Sequence, residues 1–524
     1  MIISTWIEDG ATHANEGLEY SQAHALSKIF PARCLAKLCP SSIQIWPQLH
    51  IINNRLSVLE GENLHCNPAP HERSYTHSVP FDVHTWSDHP ESNTFVDRVF
   101  ADHVEGQWIP KDQKSTPKDA KHYLKVLLLH LYVVWKQRPS LSVAVSMRHK
   151  DYRQGRYNAL HISKHTPSLI HHLDEQSVIG LKKGWKDYKS GKGYQSIIWP
   201  LEPLTELFRA SALPAEAIAI HPNAEVIRVR ERKTRDLIDY QDNDLTKHSR
   251  DTLRCFNRLI GNTRIKLGGS EPGGKSNRCY RSFSVEPGSD DPFALGGRIY
   301  GGWWQQEGGA WRDRLTINGN PVVELDYNAL HPRLLYAMVG RALEHDPYQL
   351  NSFERPASKL LLLTAINAKD EKALFQAFRR QASSKAQTLA DRLAEGQDLY
   401  DPDWLDTSDL EHLEAMLTNF SEGHAAFTSL SSKTNEELRE ALESLKKLNE
   451  PIAHFLCSDM GIKLQRTDSD ICMKVIDDMT GRGIPVLPIH DSFIVEKEHE
   501  EVLREVMERS ALEIVRFPVR VDVK

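Results

Sequence analysis

Two apolar segments, far apart in the chain, each lead to an aspartate. Residues 322–325 (VVEL) lead into Asp326-Tyr327, and residues 484–496 (IPVLPIHDSFIVE) have the pattern of two strands that meet at Asp491. Short apolar runs bounded by turn residues are typical of buried strands. Two aspartates on adjacent strands of a sheet can grip two divalent ions about 4 Å apart. The pair therefore predicts a metal site that joins distant parts of the chain.

The composition is that of an ordinary globular protein. The chain has 524 residues, of which 40% are hydrophobic and 26% charged, and this length allows roughly two to four domains. The net charge is -6, so contacts with nucleic acid must depend on local basic patches. No segment reaches the roughly 18 apolar residues of a transmembrane helix. We therefore expect a cytoplasmic protein without a membrane partner.

The seven cysteines are scattered along the sequence, which favours a reducing compartment over a disulfide framework. Cys34 and Cys39 lie close together, with histidines downstream. Their spacing lacks a second close pair, so a zinc site and ordinary thiols both remain open.

The region before residue 260 predicts a module that holds nucleic acid. Residues 1–105 receive no role, a polar linker is expected at 106–121, and an apolar helix is expected at 122–137. Between about 120 and 260, a helix that opens at Thr166-Pro167 precedes two strand-like runs, VIGLKKGW and YQSIIWPL, in the pattern of a winged helix-turn-helix. Lysines around the hairpin tip suit phosphate contacts with primer and template, although a solvated hairpin is the alternative. They are Lys182, Lys183, Lys186, Lys189 and Lys192.

A Gly-rich loop contains a literal phosphate-loop pattern. Residues 269–276 read GSEPGGKS, which would make the chain a nucleoside triphosphatase if Lys275 held a phosphate. Such a loop requires an apolar strand before it and a helix after it. The flanking residues fit neither requirement, so we expect no phosphate loop here.

Further motifs stand around the two aspartates in a recognisable order. Asp326-Tyr327 followed by Arg333 resembles the first palm motif of family A DNA polymerases, and His490-Asp491 resembles the third. The following Ser492-Phe493 is more similar to the related phage-type single-subunit RNA polymerases. Arg355 and Lys359, one helical turn apart, resemble the cations of the fingers helix. The resemblance covers about residues 293–524.

This resemblance implies an α+β right-hand polymerase, with an antiparallel palm sheet and helical fingers, behind a mixed α/β region with the winged-helix-like module. The palm would comprise residues 293–345 and 450–524, and the fingers residues 346–449. Two Mg²⁺ ions, or Mn²⁺ in their place, would be the cofactors. A DNA template and primer and nucleoside triphosphates would be the partners, with a helicase or small accessory protein as a further candidate.

The resemblance also implies roles for individual residues. Asp326 and Asp491 would be catalytic metal ligands, with Tyr327 beside them in the metal site. Arg355 and Lys359 would bind the triphosphate. Three further residues would contact primer and template. They are Arg298 in Gly297-Arg298, Gln465 in a Gln-x-Thr-x-x-Asp signature, and His490.

Two positions depart from the family pattern, and both bear on which sugar the incoming nucleotide carries. His331 stands where family A DNA polymerases carry a glutamate, and Asn367 stands where they usually carry a tyrosine. The choice between deoxynucleotides and ribonucleotides therefore stays open. A proofreading exonuclease motif is not found before residue 296. A compact primase-polymerase of a mobile element, a phage-type RNA polymerase or primase, and a nucleic-acid-binding protein with a degenerate palm are the alternatives.

Overall fold

A computed structural model describes residues 73–75, 77–108, 116–186, 193–269, 277–306, 312, 314–351, 353–397 and 407–524. Cys34, Cys39, Lys189, Lys192 and most of the Gly-rich loop lie outside these residues. The chain divides into two compact units. The described part of the larger unit lies between residues 73 and 377 and between 435 and 524, and that of the smaller unit lies between 378 and 434. The predicted fingers segment, 346–449, is therefore divided between the two units.

The first part of the larger unit is a mixed α/β module. Its elements, in chain order, are β1 (Ser78–Pro80), β2 (Thr85–Trp86), α1 (Glu91–His103), α2 (Pro117–Gln137), β3 (Ser142–Val145), α3 (Thr166–Glu175), β4 (Ile179–Lys182), β5 (Trp185–Lys186), β6 (Gly193–Tyr194), β7 (Ser196–Pro200), α4 (Glu202–Ala210) and β8 (Ala219–Ile220). Strands β1, β3, β7 and β4 form one sheet in that order, and β7 is antiparallel to both of its neighbours. The predicted order of helix and then hairpin is present as α3, β4 and β7.

One hydrophobic core holds this module together. Phe95 of α1 stacks on Tyr132 of α2 and contacts Phe208 of α4 edge to face. All three rings are buried, and burying a large aromatic side chain contributes about 1.5–3 kcal/mol. This core includes residues on both sides of residue 105, where the sequence predicted one region to end.

Helix α2 begins earlier than the predicted residue 122. The Thr116 hydroxyl accepts a hydrogen bond from the Asp119 backbone, and the Asp119 carboxylate accepts one from the Thr116 backbone. This capping box satisfies two amide groups at the helix start, and Pro117 suits the first turn because no hydrogen bond is required of it there. The polar stretch predicted as a linker thus ends inside the helix.

The remaining elements of the chain build two further sheets and a set of helices. They are β9 (Ile227–Glu231), α5 (Asp244–Gly261), β10 (Ile265–Leu267), β11 (Tyr280–Val285), β12 (Leu295–Tyr300), β13 (Leu315–Ile317), β14 (Asn320–Tyr327), α6 (Leu330–Met338), α7 (Arg355–Asn367), α8 (Glu371–Gln397), α9 (Thr407–Ser431), α10 (Asn435–Leu448), α11 (Gly461–Gly481), β15 (Leu487–Ile489), β16 (Ser492–Glu496), α12 (Glu500–Val515) and β17 (Val521–Val523). One sheet has the order β12-β11-β9. The other has the order β10-β13-β14-β16-β15, with β17 paired to β14.

The central strand of the six-stranded sheet is β14. A tight hairpin leads into it, because Asn318 and Gly319 both adopt positive φ angles, of 54° and 94°. An Asn-Gly pair tolerates these angles and turns the chain in the direction that matches strand twist. Strand β14 then pairs antiparallel with β16 and with β17. This mixed architecture with antiparallel sheets agrees with the predicted α+β class.

The fold bears on two further features, the phosphate loop and a membrane-spanning helix. The Gly-rich loop is followed by strand β11 and not by a helix, so the phosphate-loop geometry is missing from residues 277–285. Among the helices of the described residues, none combines the length and apolar character needed to cross a membrane.

Candidate functional site

The sheet brings the two predicted catalytic aspartates together. Asp326 is paired in register with Ser492, the residue that follows Asp491, and the Tyr327 amide donates a hydrogen bond of 3.4 Å to the Asp491 carbonyl. Asp491 occupies the two-residue turn between β15 and β16. The antiparallel pairing of β14 with β16 thus sets both carboxylates at one end of the same strand pair, as the sequence predicted.

The surroundings of Asp326 disfavour its ionised form. Burial, and after it the nearby charge of Asp491, together raise the pKa of Asp326 to about 6. Its Oδ1 atom is buried and has no hydrogen-bond partner in the described part of the chain. A buried carboxylate oxygen without a donor is costly, because desolvation goes uncompensated. A divalent cation would supply the missing charge and the missing contact.

One lysine partly neutralises these carboxylates within the protein. The Lys524 ammonium lies 3.6 Å from Asp326 Oδ2 and 3.1 Å from Glu324 Oε1. Glu324 is buried, and it also accepts a hydrogen bond of 2.6 Å from the Ser492 hydroxyl. Glu324 therefore has protein partners of its own, whereas Asp326 Oδ1 is left open.

Tyr327 and His490, both predicted at the site, are held by different contacts. The Tyr327 hydroxyl is buried and donates to the Met507 carbonyl at 2.7 Å, so its phenol is already bonded within the fold. His490 adopts a positive φ of 59° beside Asp491, and its ring packs edge to face on Tyr300. Burial and the Arg298 charge lower the pKa of His490, so the imidazole is neutral at physiological pH.

The predicted triphosphate residues lie on the first turns of helix α7. The sequence Arg355-Pro356 starts this helix because proline fits its first turn. The Lys359 ammonium lies over the Tyr348 ring at 5.8 Å, and the Arg355 guanidinium lies over it at 5.3 Å. Arg355 also binds Asp346 at 2.6 Å and is 58% exposed, whereas Lys359 is near enough to lower the pKa of Asp326. Lys359 is therefore the cation closer to the carboxylates.

Tyr348 was not found from the sequence, although it links these groups. It is buried, and burial raises its pKa to about 12, with the charges of Asp346 and Asp491 acting in the same direction. The phenol thus keeps its proton and presents an aromatic face to two cations. A tyrosine in a connecting segment gave no local signal, because its partners come from α7 and from the β15-β16 turn.

Asp468 is the second residue that sequence reasoning missed. It lies on α11, is 1% exposed, and accepts hydrogen bonds from Arg298, the shortest of 2.6 Å. Its Oδ2 also lies 2.8 Å from His331 Nε2. A predicted primer-template residue and a predicted sugar-selection residue are thus joined through one buried carboxylate.

The sequence Gly296-Gly297-Arg298 explains how α11 reaches Arg298. Gly297 has a φ of 88°, and a Cβ atom there would lie 2.7 Å from Ser469 Oγ, so only glycine lets the helix pack against this edge strand. On β11, the buried Arg281 donates to the Gly297 carbonyl and to the Asp470 carboxylate. Helix α11 therefore holds β12 through polar contacts on both sides of Gly297.

One face of the three-stranded sheet carries further cations. Arg228, Ser282 and Arg298 are register partners across β9, β11 and β12, so their side chains project from the same face. Arg228 also stacks on Tyr280 at 3.5 Å. A row of arginine and tyrosine beside the carboxylates suits a nucleic-acid strand, because cations bind phosphates and rings stack on bases.

The other predicted residues lie apart from this cluster or have different partners. Gln465 is half-buried one turn before Asp468 on α11. Asn367 is at the far end of α7, where its amide donates to the Leu363 carbonyl and packs against Gly461. Lys182 donates to the Arg73 carbonyl at 2.8 Å, and Lys183 and Lys186 are exposed on the β4-β5 segment.

The raised pKa of Asp326 leads to a stability prediction. Its usual pKa is 3.8, so the folded protein holds the extra proton between pH 3.8 and about 6, and the associated stability is lost as the pH rises through 6. Asp326→Asn should therefore raise the free energy of unfolding of the metal-free protein by about 1–2 kcal/mol at neutral pH, and by less near pH 4. This value is reduced from the full shift because the side chain is 32% exposed.

Urea denaturation in the presence of a chelator, at neutral pH and near pH 4, measures this difference. Glu513→Gln is the control, because that carboxylate is exposed and paired only with Lys474 among the described contacts. A variant at Asp326 that is no more stable than the parent at neutral pH would contradict the electrostatic reading.

The comparisons with known proteins add little to this geometry. No family model and no curated protein matches the chain. Among solved structures, the chain is similar to the POL domain of Pol1 from M. smegmatis in complex with DNA primer-template and dNTP, at 11% identity and a TM-score of 0.22, over 91% of this chain and 72% of that chain. A structural similarity at this level does not assign a function to the chain.

Proposed function

We propose that this chain is a template-dependent nucleotidyltransferase that uses two divalent cations. The observation that carries the proposal is the convergence of Asp326, Asp491 and Lys359, which come from a strand, a turn and a helix that are separated in sequence. Two carboxylates with a lysine nearby suit phosphoryl transfer, because positioning and charge stabilisation supply most of the catalysis in that reaction.

The carboxylates fit the proposed cations. The partnerless Oδ1 of Asp326 and the repulsion from Asp491 both favour a bound cation, and Mg²⁺ is usually held by one or two carboxylates together with substrate phosphates. When bound, the ions would activate the attacking hydroxyl and neutralise the triphosphate. Lys524 would give up its contact with Asp326 on their arrival.

The protein's own groups account for substrate binding. Lys359 would hold the triphosphate by charge, and Arg355, which is shared with Asp346, would contribute less. Tyr348 keeps both cations on one side of α7. Arg228 would bind the backbone of primer or template on the face of the three-stranded sheet that it shares with Arg298, whose own guanidinium is already paired with Asp468.

The sugar preference depends on His331. Its imidazole is oriented by Asp468, and its ring replaces the carboxylate that the family A resemblance leads one to expect at this position. Asn367 packs at the opposite end of α7 from Arg355, about 12 Å along the helix from Lys359. His331 is therefore the better placed of the two candidates to meet a sugar beside Arg298.

Primer extension on a DNA template tests the proposal directly. The full chain is supplied with Mg²⁺ or Mn²⁺ and with either deoxynucleotides or ribonucleotides, on primed and on unprimed strands. Template-directed incorporation supports the proposal, and products from unprimed strands would identify a primase-polymerase. If neither nucleotide class is incorporated under any of these conditions, the proposal fails.

A substitution at Lys359 should separate substrate binding from the rest of the site. Lys359→Ala is expected to raise the KM for the triphosphate by about tenfold or more, because a charge-assisted contact with phosphate contributes about 1.5–3 kcal/mol. Arg355→Ala should have a smaller effect. Steady-state kinetics on a primed template measures both, with the exposed Lys369→Ala just beyond α7 as the control. Equal effects of Lys359→Ala and Lys369→Ala would contradict the assignment.

One observation favours a second candidate, a nucleic-acid-binding protein with a degenerate palm. The Lys524 ammonium already neutralises part of the carboxylate charge. If it replaced the metal permanently, the parent protein would not bind Mn²⁺. Calorimetric titration of the parent with Mn²⁺ distinguishes the two candidates.

A further inference from the structure

A row of aromatic rings lies on the hairpin that follows α3, away from the residues assigned to nucleotidyl transfer. Tyr75 and Tyr194 have ring centroids 5.5 Å apart, and Tyr194 stacks on Trp185 at 5.3 Å with an angle of 28° between the planes. Trp185 is the outer member, and its side chain is 51% exposed. A half-exposed tryptophan ring at the end of a stack can stack on a further planar ring.

The local sequence builds this row and holds it in place. Trp185 of β5 pairs in register with Tyr194 of β6. At Gly184, a Cβ atom would lie 2.3 Å from the Tyr194 carbonyl oxygen, so only glycine allows the two strands to approach this closely. The Tyr75 hydroxyl donates to the Lys183 carbonyl at 2.6 Å, which ties the inner ring to the hairpin. The outer ring is thus presented by a fixed backbone.

Positive charges flank the rings. The Lys182 ammonium lies 5.0 Å from the centre of the Tyr75 ring, and Lys183 and Lys186 are exposed on either side of Trp185. Lysines around an exposed ring match the two parts of a nucleotide, because phosphates bind cations and every base has a face that stacks. Bases inside a duplex are already stacked on one another and cannot reach such a ring.

We propose that the hairpin around Trp185 binds single-stranded nucleic acid by stacking a base on the indole ring, with Lys183 contacting the adjacent phosphate. This surface is separate from the carboxylate site, and the proposal does not require nucleotidyl transfer. A strand held here would be template or product outside the duplex.

The test is the equilibrium binding of the full chain to a labelled single strand of about ten nucleotides and to a blunt duplex of the same length, without divalent ions or triphosphates. Trp185→Ala should weaken single-strand binding by about tenfold or more, because stacking on an aromatic side chain contributes at this level. Trp185→Phe should retain most of the affinity, and its binding shows that the hairpin still folds. The duplex should be affected less than the single strand.

Lysine variants test the phosphate contact. Lys183→Gln should weaken binding and reduce the salt dependence of the affinity by about one ion, whereas Lys136→Gln, an exposed lysine of α2 in the same module, should leave both unchanged. The proposal is overturned if Trp185→Ala binds the single strand as tightly as the parent, or if single strand and duplex lose affinity equally.

Discussion

Asp326→Asn and Asp491→Asn should each reduce primer extension by about a thousandfold or more. Either change removes one of two negative charges that would hold the cations, and metal stabilisation of transition-state charge contributes several kcal/mol, at 1.36 kcal/mol per tenfold in rate. The charge of Asp326 does not stabilise the fold, because burial and repulsion from Asp491 raise its pKa. The variants should therefore fold and still bind DNA.

Single-turnover extension measures this loss, and DNA binding measured on the same samples excludes misfolding as its cause. Glu513→Gln on α12 is a matched change in an exposed carboxylate and should keep the parental rate. Extension by Asp326→Asn within a factor of about ten of the parent would contradict the metal assignment.

Asp468→Asn should destabilise the protein by about 3–5 kcal/mol, the usual cost of removing one partner from a buried ion pair. Its carboxylate is 1% exposed and binds both Arg298 and His331, so the change leaves a buried guanidinium without its counter-charge. Asp478→Asn on the same helix is the matched control, because its pairs with Arg482 and Arg509 are partly exposed and should contribute about 1 kcal/mol or less.

Denaturant unfolding of the two variants measures the difference. If Asp468 has only a structural role, Asp468→Asn should change the free energy of unfolding and leave the nucleotide preference unchanged. If Asp468 also positions His331 against the sugar, then the ratio of kcat/KM for deoxynucleotides to that for ribonucleotides should change in Asp468→Asn and stay constant in Asp478→Asn. Equal stability of the two variants would contradict the role of Asp468 as a buried counter-charge.

The elements that could be predicted from the sequence are those with a local signal. The apolar run before Asp326 and the strands on either side of Asp491 depend on neighbouring residues, and each lies where it was expected. The capping box at Thr116 also has a local signal, a threonine followed three residues later by an acid, but the polar composition of the segment outweighed it in the prediction of a linker.

The parts that could not be predicted depend on contacts between distant segments. A single aspartate at position 468 on an amphipathic helix looks like any other polar residue until β12 and α6 supply Arg298 and His331. Tyr348 and Lys524 likewise acquire their partners only through the fold. The core that crosses residue 105 also depends on such contacts, because Phe95 packs against α2 and α4.

The position of helix α11 has a consequence beyond the site. Strand β12 is at the edge of its sheet, and α11 packs against it, with Asp468 bound to Arg298 and the Ser469 hydroxyl near the Gly296 carbonyl. An uncovered edge strand offers unpaired amide and carbonyl groups to other chains and is a common starting point for aggregation. Variants that weaken the packing of α11 should therefore lose solubility on warming before the rest of the chain unfolds. The contacts that orient Arg298 would then also prevent the molecules from associating with one another.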